Sequence, residues 1–223
     1  MSFIVAIDGP AGTGKGTITK LISKEMGLVN IDTGATYRCV ALYVLENNIR
    51  LEETSKIIDS LKYINIDMKN ENGNQTIFLN GKDVTAEIRS KEVTAIVSQV
   101  SSIKEVRFAM VDVQRNLANG KDVIMEGRDI TTYVFPNADV KIYLDADENE
   151  RANRRYKEMI EKGMNTTFEE VLENIRLRDK NDKEKEIGAL KIAEDAVYID
   201  TTNLTIEEVK NKVKEVIEEK RSK

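Results

Sequence analysis

An α/β fold is what this sequence predicts: a parallel sheet flanked by helices, with a smaller unit inserted into it. Three observations lead to that class. Short apolar runs rich in β-branched residues alternate with helical periodicity, at the spacing of strand–helix–strand units. A glycine-rich turn at residues 8–16 joins the first apolar run to the first helix. Between residues 47 and 118 the texture changes to short strand-like runs around Asn80-Gly81, a strong hairpin signal. Antiparallel hairpins inside a chain of parallel type mark an inserted subdomain. The 223 residues suit one large domain or a core with such an insert.

The elements follow in order. Residues 3–7 form the first strand, 17–26 a helix, 28–31 a second strand and 34–46 a second helix. Within the insert, 54–61 reads as helical, and 63–68, 75–79 and 82–84 as short strands. Helical periodicity returns over 91–118 and breaks near 101–104. Residues 122–125 and 140–144 are apolar runs of buried-strand type. Residues 147–162 and 168–182 are charged helices, 197–199 a last strand and 205–220 a closing helix. These boundaries divide the chain into a core of about 1–46, 119–146 and 186–223, an insert of about 47–118 and a helical region of about 147–185. Met26 and Cys39 fall at core positions.

Composition removes several classes of function. Hydrophobic residues make up 40% and charged residues 33%, a balance that can bury a core and stay soluble. Lys and Arg total 34 against 39 Asp and Glu, a net charge of −5. That sign argues against a general nucleic-acid or membrane-surface binder, although a local basic pocket is compatible with it. There is no histidine and only one cysteine, Cys39. A Ser-His-Asp triad, a Cys-His pair and a zinc site of Cys and His are therefore excluded, as is an intramolecular disulfide. No apolar run approaches the roughly 20 residues of a membrane span. The opening residues lack the basic and cleavage features of a signal peptide. A cytoplasmic protein is the expectation.

The sharpest motif is Gly9-Pro10-Ala11-Gly12-Thr13-Gly14-Lys15-Gly16-Thr17, which has the Gly-x4-Gly-Lys spacing of a phosphate loop between a strand and a helix. Its glycines let the backbone wrap an anion where a Cβ would clash, and successive N–H groups with the helix N-terminus point at it. Lys15 is placed to bridge β- and γ-phosphate oxygens. The usual hydroxyl directly after the lysine is replaced by Gly16, so Mg²⁺ contact passes to Thr17. A dinucleotide-binding Gly-x-Gly-x-x-Gly does not fit the spacing. The class sharpens to a P-loop NTPase-type parallel sheet. The guanine-reading Asn-Lys-x-Asp is absent, Asn211-Lys212-Val213-Lys214 having the wrong last residue, which favours an ATP-dependent kinase of a small acceptor over a GTPase switch.

Further clusters belong at the same edge of the sheet. Residues 32–38, Asp-Thr-Gly-Ala-Thr-Tyr-Arg, follow the second strand, and 126–129, Glu-Gly-Arg-Asp, follow the strand at 122–125. In a parallel sheet the C-terminal strand ends share one edge with the phosphate loop. Arginines there offer planar forks suited to phosphate. Ser98 and Arg107 lie on helical segments, and Arg178, Asp179, Asp182 and Lys185 lie late in the chain. Arg107 reads alternatively as a solvated helix arginine, and Asp129 as a helix N-cap. Arg151, Arg154 and Arg155 share a helical face, either as surface ion pairs with Glu150 and Glu158 or as groups closing on a reacting phosphoryl. Glu126 ends its strand as an acid ordering Mg²⁺ waters would, or as a partner of the loop or Arg128.

Taken together these segments resemble the bacterial cytidylate kinases, within the nucleoside monophosphate kinases, over nearly the whole chain. The resemblance rests on residues 7–17, 32–38, 126–129 with Val134-Phe135-Pro136, Glu150-Arg151-Ala152 with Arg154-Arg155, and Arg178-Asp179 with Asp182. It implies ATP and CMP or dCMP as substrates, CDP or dCDP and ADP as products, a nucleoside monophosphate-binding insert and a mobile lid. By position it implies Thr33, Arg107 and Asp129 as cytosine readers, with Tyr37 in the same substrate-binding set. Ser98, Arg178 and Asp182 correspond to pentose contacts, and Arg38, Arg128 and Lys185 to the clamp on the acceptor phosphate. The lid arginines Arg151 and Arg155 would close on the transferring group. The chain departs from the family pattern at Lys185, where arginine is usual, at Thr131, where glycine is usual, and at Thr33, where serine is usual.

The expected chemistry is ATP·Mg²⁺ on Gly9–Thr17, with Lys15, Arg128, Arg151 and Arg155 as the catalytic set and Thr17 and Glu126 at the metal. The acceptor is already an anionic nucleophile, so no general base is needed, in keeping with the missing histidine. Catalysis is positioning and charge neutralisation. A monomer acting on small nucleotides, with neither nucleic acid nor membrane as partner, is expected. The rival readings are a kinase for UMP, AMP or a hydroxyl acceptor, for which Asp32 is the one obvious base, and a nucleotide-dependent interaction module.

Overall fold

A computed structural model of the chain describes residues 2–71, 74–161 and 163–222. Five strands, β1 (Ile4–Asp8), β2 (Val29–Asp32), β6 (Val123–Gly127), β7 (Val140–Asp145) and β8 (Val197–Asp200), form one parallel sheet. Its order is β2-β6-β1-β7-β8, so β1 is central and the chain crosses over β6 to reach β2. The register pairs Asp8 with Gly127 and Asp32 with Glu126.

Alternation along β1 builds both faces of the core. Val5 and Ile7 point to one side, where they meet Ile18 and Ile22 of α1 (Lys15–Met26) and Val213 and Ile217 of α8 (Ile206–Arg221). Ala6 points to the other side, with Val40 of α2 (Thr33–Glu46) and Met110 of α5 (Lys104–Ala118). Each isoleucine buried this way contributes about 1.5–3 kcal/mol. Cys39 is fully buried in the second layer.

The stretch expected as an insert, 47–118, holds α3 (Thr54–Ser60), an antiparallel sheet of β3 (Ile66–Glu71), β4 (Asn74–Leu79) and β5 (Lys82–Asp83), α4 (Lys91–Val100) and α5, the last of which also packs in the layer of Ala6 and Val40. Asn80 and Gly81, at φ 52° and 82°, make the tight turn that their sequence signals. Met68, Ile77 and Leu79 on one side of that sheet join the core layer of α2 and α5. The strand expected from residue 63 starts at Ile66, because 61–63 continue α3 as a 3₁₀ turn. The helical stretch 91–118 is two helices, broken at 101–103.

The charged helices are α6 (Glu148–Glu161) and α7 (Phe168–Glu184). The expected end of the first, Lys162, lies outside the described residues. Thr167 and Glu170 form a capping box at the start of α7, which fixes where it begins. The pair carries a small core of its own, Ala152, Val171 and Ile175, with Tyr156 and Phe168 edge to face at 6.4 Å. No helix among the described residues is long and apolar enough to cross a membrane.

Candidate active site

The phosphate loop leaves β1 at its C-terminal end and enters α1 at Lys15, two residues before the expected start. Gly14, at φ 85°, occupies the N-cap, and Gly12, at φ 83°, precedes it. A Cβ on Gly9 would overlap the carbonyl oxygen of Leu144, so only glycine lets the loop leave the sheet here. A Cβ on Gly16 would stand 2.7 Å from Glu126 Oε1. That carboxylate therefore lies against Gly16 at the start of α1. It also accounts for glycine where the motif usually carries a hydroxyl.

Lys15 is buried and donates to the carbonyls of Gly9 and Pro10, both at 2.7 Å, and to Thr13 Oγ1 at 3.3 Å. Burial and then the Arg128 guanidinium push its proton affinity well down. Glu126 rises to about 7, through burial and the Asp32 carboxylate, against the opposing pull of Lys15 and Arg128. A carboxylate raised by burial and by a second carboxylate suits a divalent cation, which favours the charged form. Glu126 and Thr17, the residue after Gly16, would offer oxygen donors only, as magnesium prefers.

Asp8, fully buried at the end of β1, accepts from the N–H groups of Ile130 and Thr131, at 2.9 and 2.7 Å, and from Thr131 Oγ1 at 2.6 Å. Burial raises its pKa, and these bonds oppose the rise. They pin residues 130–134, a π-helical turn in which the N–H groups of Val134 and Phe135 reach back five residues. The threonine in the usual glycine position thus uses its hydroxyl on the strand that launches the phosphate loop.

That turn presents Asp129, whose side chain makes no N-cap hydrogen bond. Arg107, 3% exposed, donates from Nη2 to Asp129 Oδ2 and from Nη1 to the Ser101 carbonyl at 3.4 Å. Its guanidinium lies 5.5 Å from the Tyr37 ring centre, and its Nε has no hydrogen-bond partner among the described residues. Burial lifts Asp129 to about 6 despite Arg107, and burial lifts the Tyr37 hydroxyl to about 12. Thr33 donates to the Glu126 carbonyl at 2.6 Å, which fixes its hydroxyl at the start of α2. Gly188, at φ 64°, packs so closely that a Cβ would overlap both Arg107 Nη2 and Asp129 Oδ2. The Arg107–Asp129 pair therefore has the backbone of residue 188 as a wall.

Around this pair stands a ring of cations. Arg128 donates from Nε to Asp182 Oδ2 at 2.8 Å, and Lys185 Nζ donates to Asp182 Oδ1 at 2.9 Å and to Ser101 Oγ at 3.3 Å. Burial works to raise Asp182, but Arg128, Lys185 and Arg178 outweigh it and hold the carboxyl at about 2. Arg178 Nε lies 4.0 Å from Asp182, and the charge of Arg128 pushes Arg178 down to about 10. Arg38 donates to the Ile88 carbonyl at 3.0 Å and to Thr94 Oγ1 at 2.9 Å, which ties it to the insert. Burial lowers its pKa, and the charges of Arg89, Arg155 and Arg128 lower it further. Cations that depress one another this way form a field for which a polyanion is the fitting counter-ion.

The remaining expected residues sit as follows. Arg151 is buried against the phosphate loop, donating to the Ala11 and Ala146 carbonyls at 2.9 and 3.0 Å and to Asp179 at 2.6 Å. Arg155 pairs with Glu158 at 2.7 Å on the surface of α6. Arg154 reaches the carbonyl of Thr201 at 2.7 Å. Ser98 is half-buried on α4, its carbonyl accepting from Ser101 and Ser102. Asp32 caps α2 by accepting from the Ala35 N–H at 3.2 Å and pairs with Arg89 at 3.1 Å. Sequence reasoning had not singled out Arg89, Gly188 or the bonds of Asp8. Asp8 was visible as the polar end of an apolar strand, whereas Arg89 and Gly188 carry no local signal.

A buried lysine on a glycine loop at one strand end, and arginines at the next two, define a phosphate-loop nucleotide-binding protein of the phosphotransferase kind. The cytidylate kinase family profile matches residues 5–219. A cytidylate kinase of Caldicellulosiruptor saccharolyticus is 50% identical over 212 residues, covering 95% of this chain and 94% of its own. One from Fusobacterium nucleatum subsp. nucleatum is 49% identical over 217 residues, covering 97% and 98%. A crystal structure of an uncharacterized protein from Eubacterium ventriosum shares the fold alone, with a TM-score of 0.51 at 10% identity over 97% of this chain and 99% of its own. The chain belongs to the cytidylate kinase family.

Proposed function

We propose that the protein catalyses ATP-dependent phosphorylation of CMP and dCMP to CDP and dCDP. The observation that carries this reading is the register of β1, β2 and β6, which sets the Lys15 loop, Thr33 and the Arg128–Asp129 pair along one sheet edge. Family membership supports the same activity. In this reading residues 9–17 hold the donor phosphates. Thr33, Arg107 and Asp129 read cytosine, with Tyr37 in the same substrate-binding set: the carboxylate accepts from the exocyclic amine, while the guanidinium, and the Thr33 hydroxyl once turned from the Glu126 carbonyl, donate to N3 and O2. Ser98, Arg178 and Asp182 take the pentose, and Arg38, Arg128 and Lys185 the acceptor phosphate.

The acceptor phosphate oxygen attacks the γ-phosphoryl in line. Lys15, Arg128, Arg151 and Arg155 neutralise the charge on the equatorial oxygens. Mg²⁺, which we assign to Thr17 and Glu126, adds charge neutralisation when bound. Residues 47–118 act as the acceptor-binding insert and 147–185 as a lid that excludes water from the reacting phosphoryl. We also assign the protein to the cytoplasm as a monomer, as the family resemblance implies, with no nucleic-acid or membrane partner; the net charge of −5 supports the last point alone.

The test is a steady-state panel of ribo- and deoxyribonucleoside monophosphates and hydroxyl acceptors with ATP and Mg²⁺. CMP and dCMP should show the highest kcat/KM. A higher value for UMP, AMP or an alcohol would overturn the assignment.

A further inference from the structure

Two carboxylates on α7, Asp179 and Asp182, stand one helical turn apart at i,i+3 and share a face. They face different halves of the site. Asp182 lies between Arg128 and Lys185, the groups assigned to the acceptor. Asp179 lies against the phosphate loop, accepting from Arg151 Nη1 at 2.6 Å and from the Ala11 N–H at 3.5 Å. Arg151 completes the bracket by donating to the Ala11 carbonyl at 2.9 Å. Both backbone polar groups of Ala11 are thus held by the α6–α7 pair. The neighbouring Gly12 is packed so tightly that a Cβ there would come within 3.0 Å of the Arg151 backbone oxygen.

The Asp179–Arg151 pair is largely buried, with side chains 13% and 7% exposed. Its geometry is set by packing, unlike a solvated ion pair whose partners sample many arrangements. No group in the proposed reaction requires Asp179 to touch a nucleotide. Its contacts instead fix the position of α7 along the loop, and with it the position of Asp182 between the two acceptor cations. A single rigid helix therefore carries one contact set for each nucleotide.

We propose that Asp179 is a positioning residue through which the phosphate loop and the acceptor pocket are energetically coupled, so that donor and acceptor nucleotides tighten one another's binding. This rests on the reading that residues 9–17 take the donor and Arg128 the acceptor. A donor that settles the loop also settles Ala11, Asp179 and α7. The acceptor then meets Arg128 and Lys185 already aligned by Asp182, without bearing the ordering cost itself.

The experiment is a four-point binding box by calorimetry on the full chain: CMP alone, a non-hydrolysable ATP analogue alone, and each in the presence of the other. In the parent each nucleotide should tighten the other by at least about fivefold, the same factor in both directions. In Asp179→Asn the factor should fall to within about twofold of one, while the affinity for CMP alone changes by less than about threefold. A merely structural role would weaken each nucleotide alone and leave the coupling factor intact, and that result overturns the proposal. Equal coupling in parent and variant, or none in the parent, also overturns it. Should Asp179→Asn fail to fold, Asp179→Glu, which keeps the charge and shifts the carboxylate by one methylene away from the Ala11 N–H, is read by the same criterion. A parent that binds no CMP would overturn the acceptor assignment itself, and this coupling with it.

Discussion

Replacing Glu126 by glutamine should change how the stability of the fold depends on pH. The carboxyl lies at the end of β6 and is raised from 4.5 to about 7, chiefly by burial and then by Asp32. A group raised in the folded state favours the protonated form there. Its stabilising contribution is complete below its unfolded pKa and disappears as the pH climbs through about 7. The gap from 4.5 to about 7 corresponds to about 3 kcal/mol at ~1.36 kcal/mol per pH unit. Glu126 is half-buried, so screening at its exposed edge brings the expected effect to about 2–3 kcal/mol. Glutamine stays neutral throughout. Urea unfolding of parent and Glu126→Gln, without nucleotide or divalent cation, should therefore show the variant gaining about 2–3 kcal/mol relative to the parent between about pH 4.5 and 8. Mg²⁺·ATP should reverse the order at the upper end, because a bound cation favours the carboxylate that glutamine lacks. Parallel stability curves across that range would refute the argument.

Two more perturbations address the halves of the site. Lys15→Met should abolish transfer while keeping the parent's circular dichroism; losing a charged contact of this kind costs the reaction about 1.5–3 kcal/mol or more, so activity within about tenfold of the parent would count against the loop assignment. Arg107→Met and Asp129→Ala should each raise the KM for CMP far more than that for ATP, and each should cost about 3–5 kcal/mol of stability by stranding a buried charge. Equal weakening of both nucleotides would show that the pair does not read the base.

The parts of the molecule that were legible from the amino-acid order are those set by local pattern. The phosphate loop is a contiguous motif, and the β-branched runs at 122–125 and 140–144 lie within the observed β6 and β7, save Asp122 just before β6. The hairpin at Asn80-Gly81 follows from two positive φ angles. Features set by distant partners were not legible. Residues 130–134 form a π turn because Asp8, some 122 positions away in sequence, draws two of their N–H groups to itself. Arg89 enters the site by pairing with Asp32 across 57 positions. Gly188 looks like any loop glycine until the Arg107–Asp129 pair is found against it. The placement of Arg151 on the Ala11 carbonyl likewise depends on a contact across 140 positions, which helical spacing does not reveal.

The threefold grip on the Asp8 carboxylate has a consequence for anyone wishing to re-tune which nucleobase is accepted. The strand end that launches the glycine loop and the turn that carries Asp129, the residue we assign to cytosine, are fastened to a single buried oxygen pair. Redesigning the recognition turn therefore also strains the donor side. Libraries confined to base-contacting positions should lose turnover before they lose discrimination, and productive variants are to be sought where Asp8 and Thr131 are varied together with Asp129.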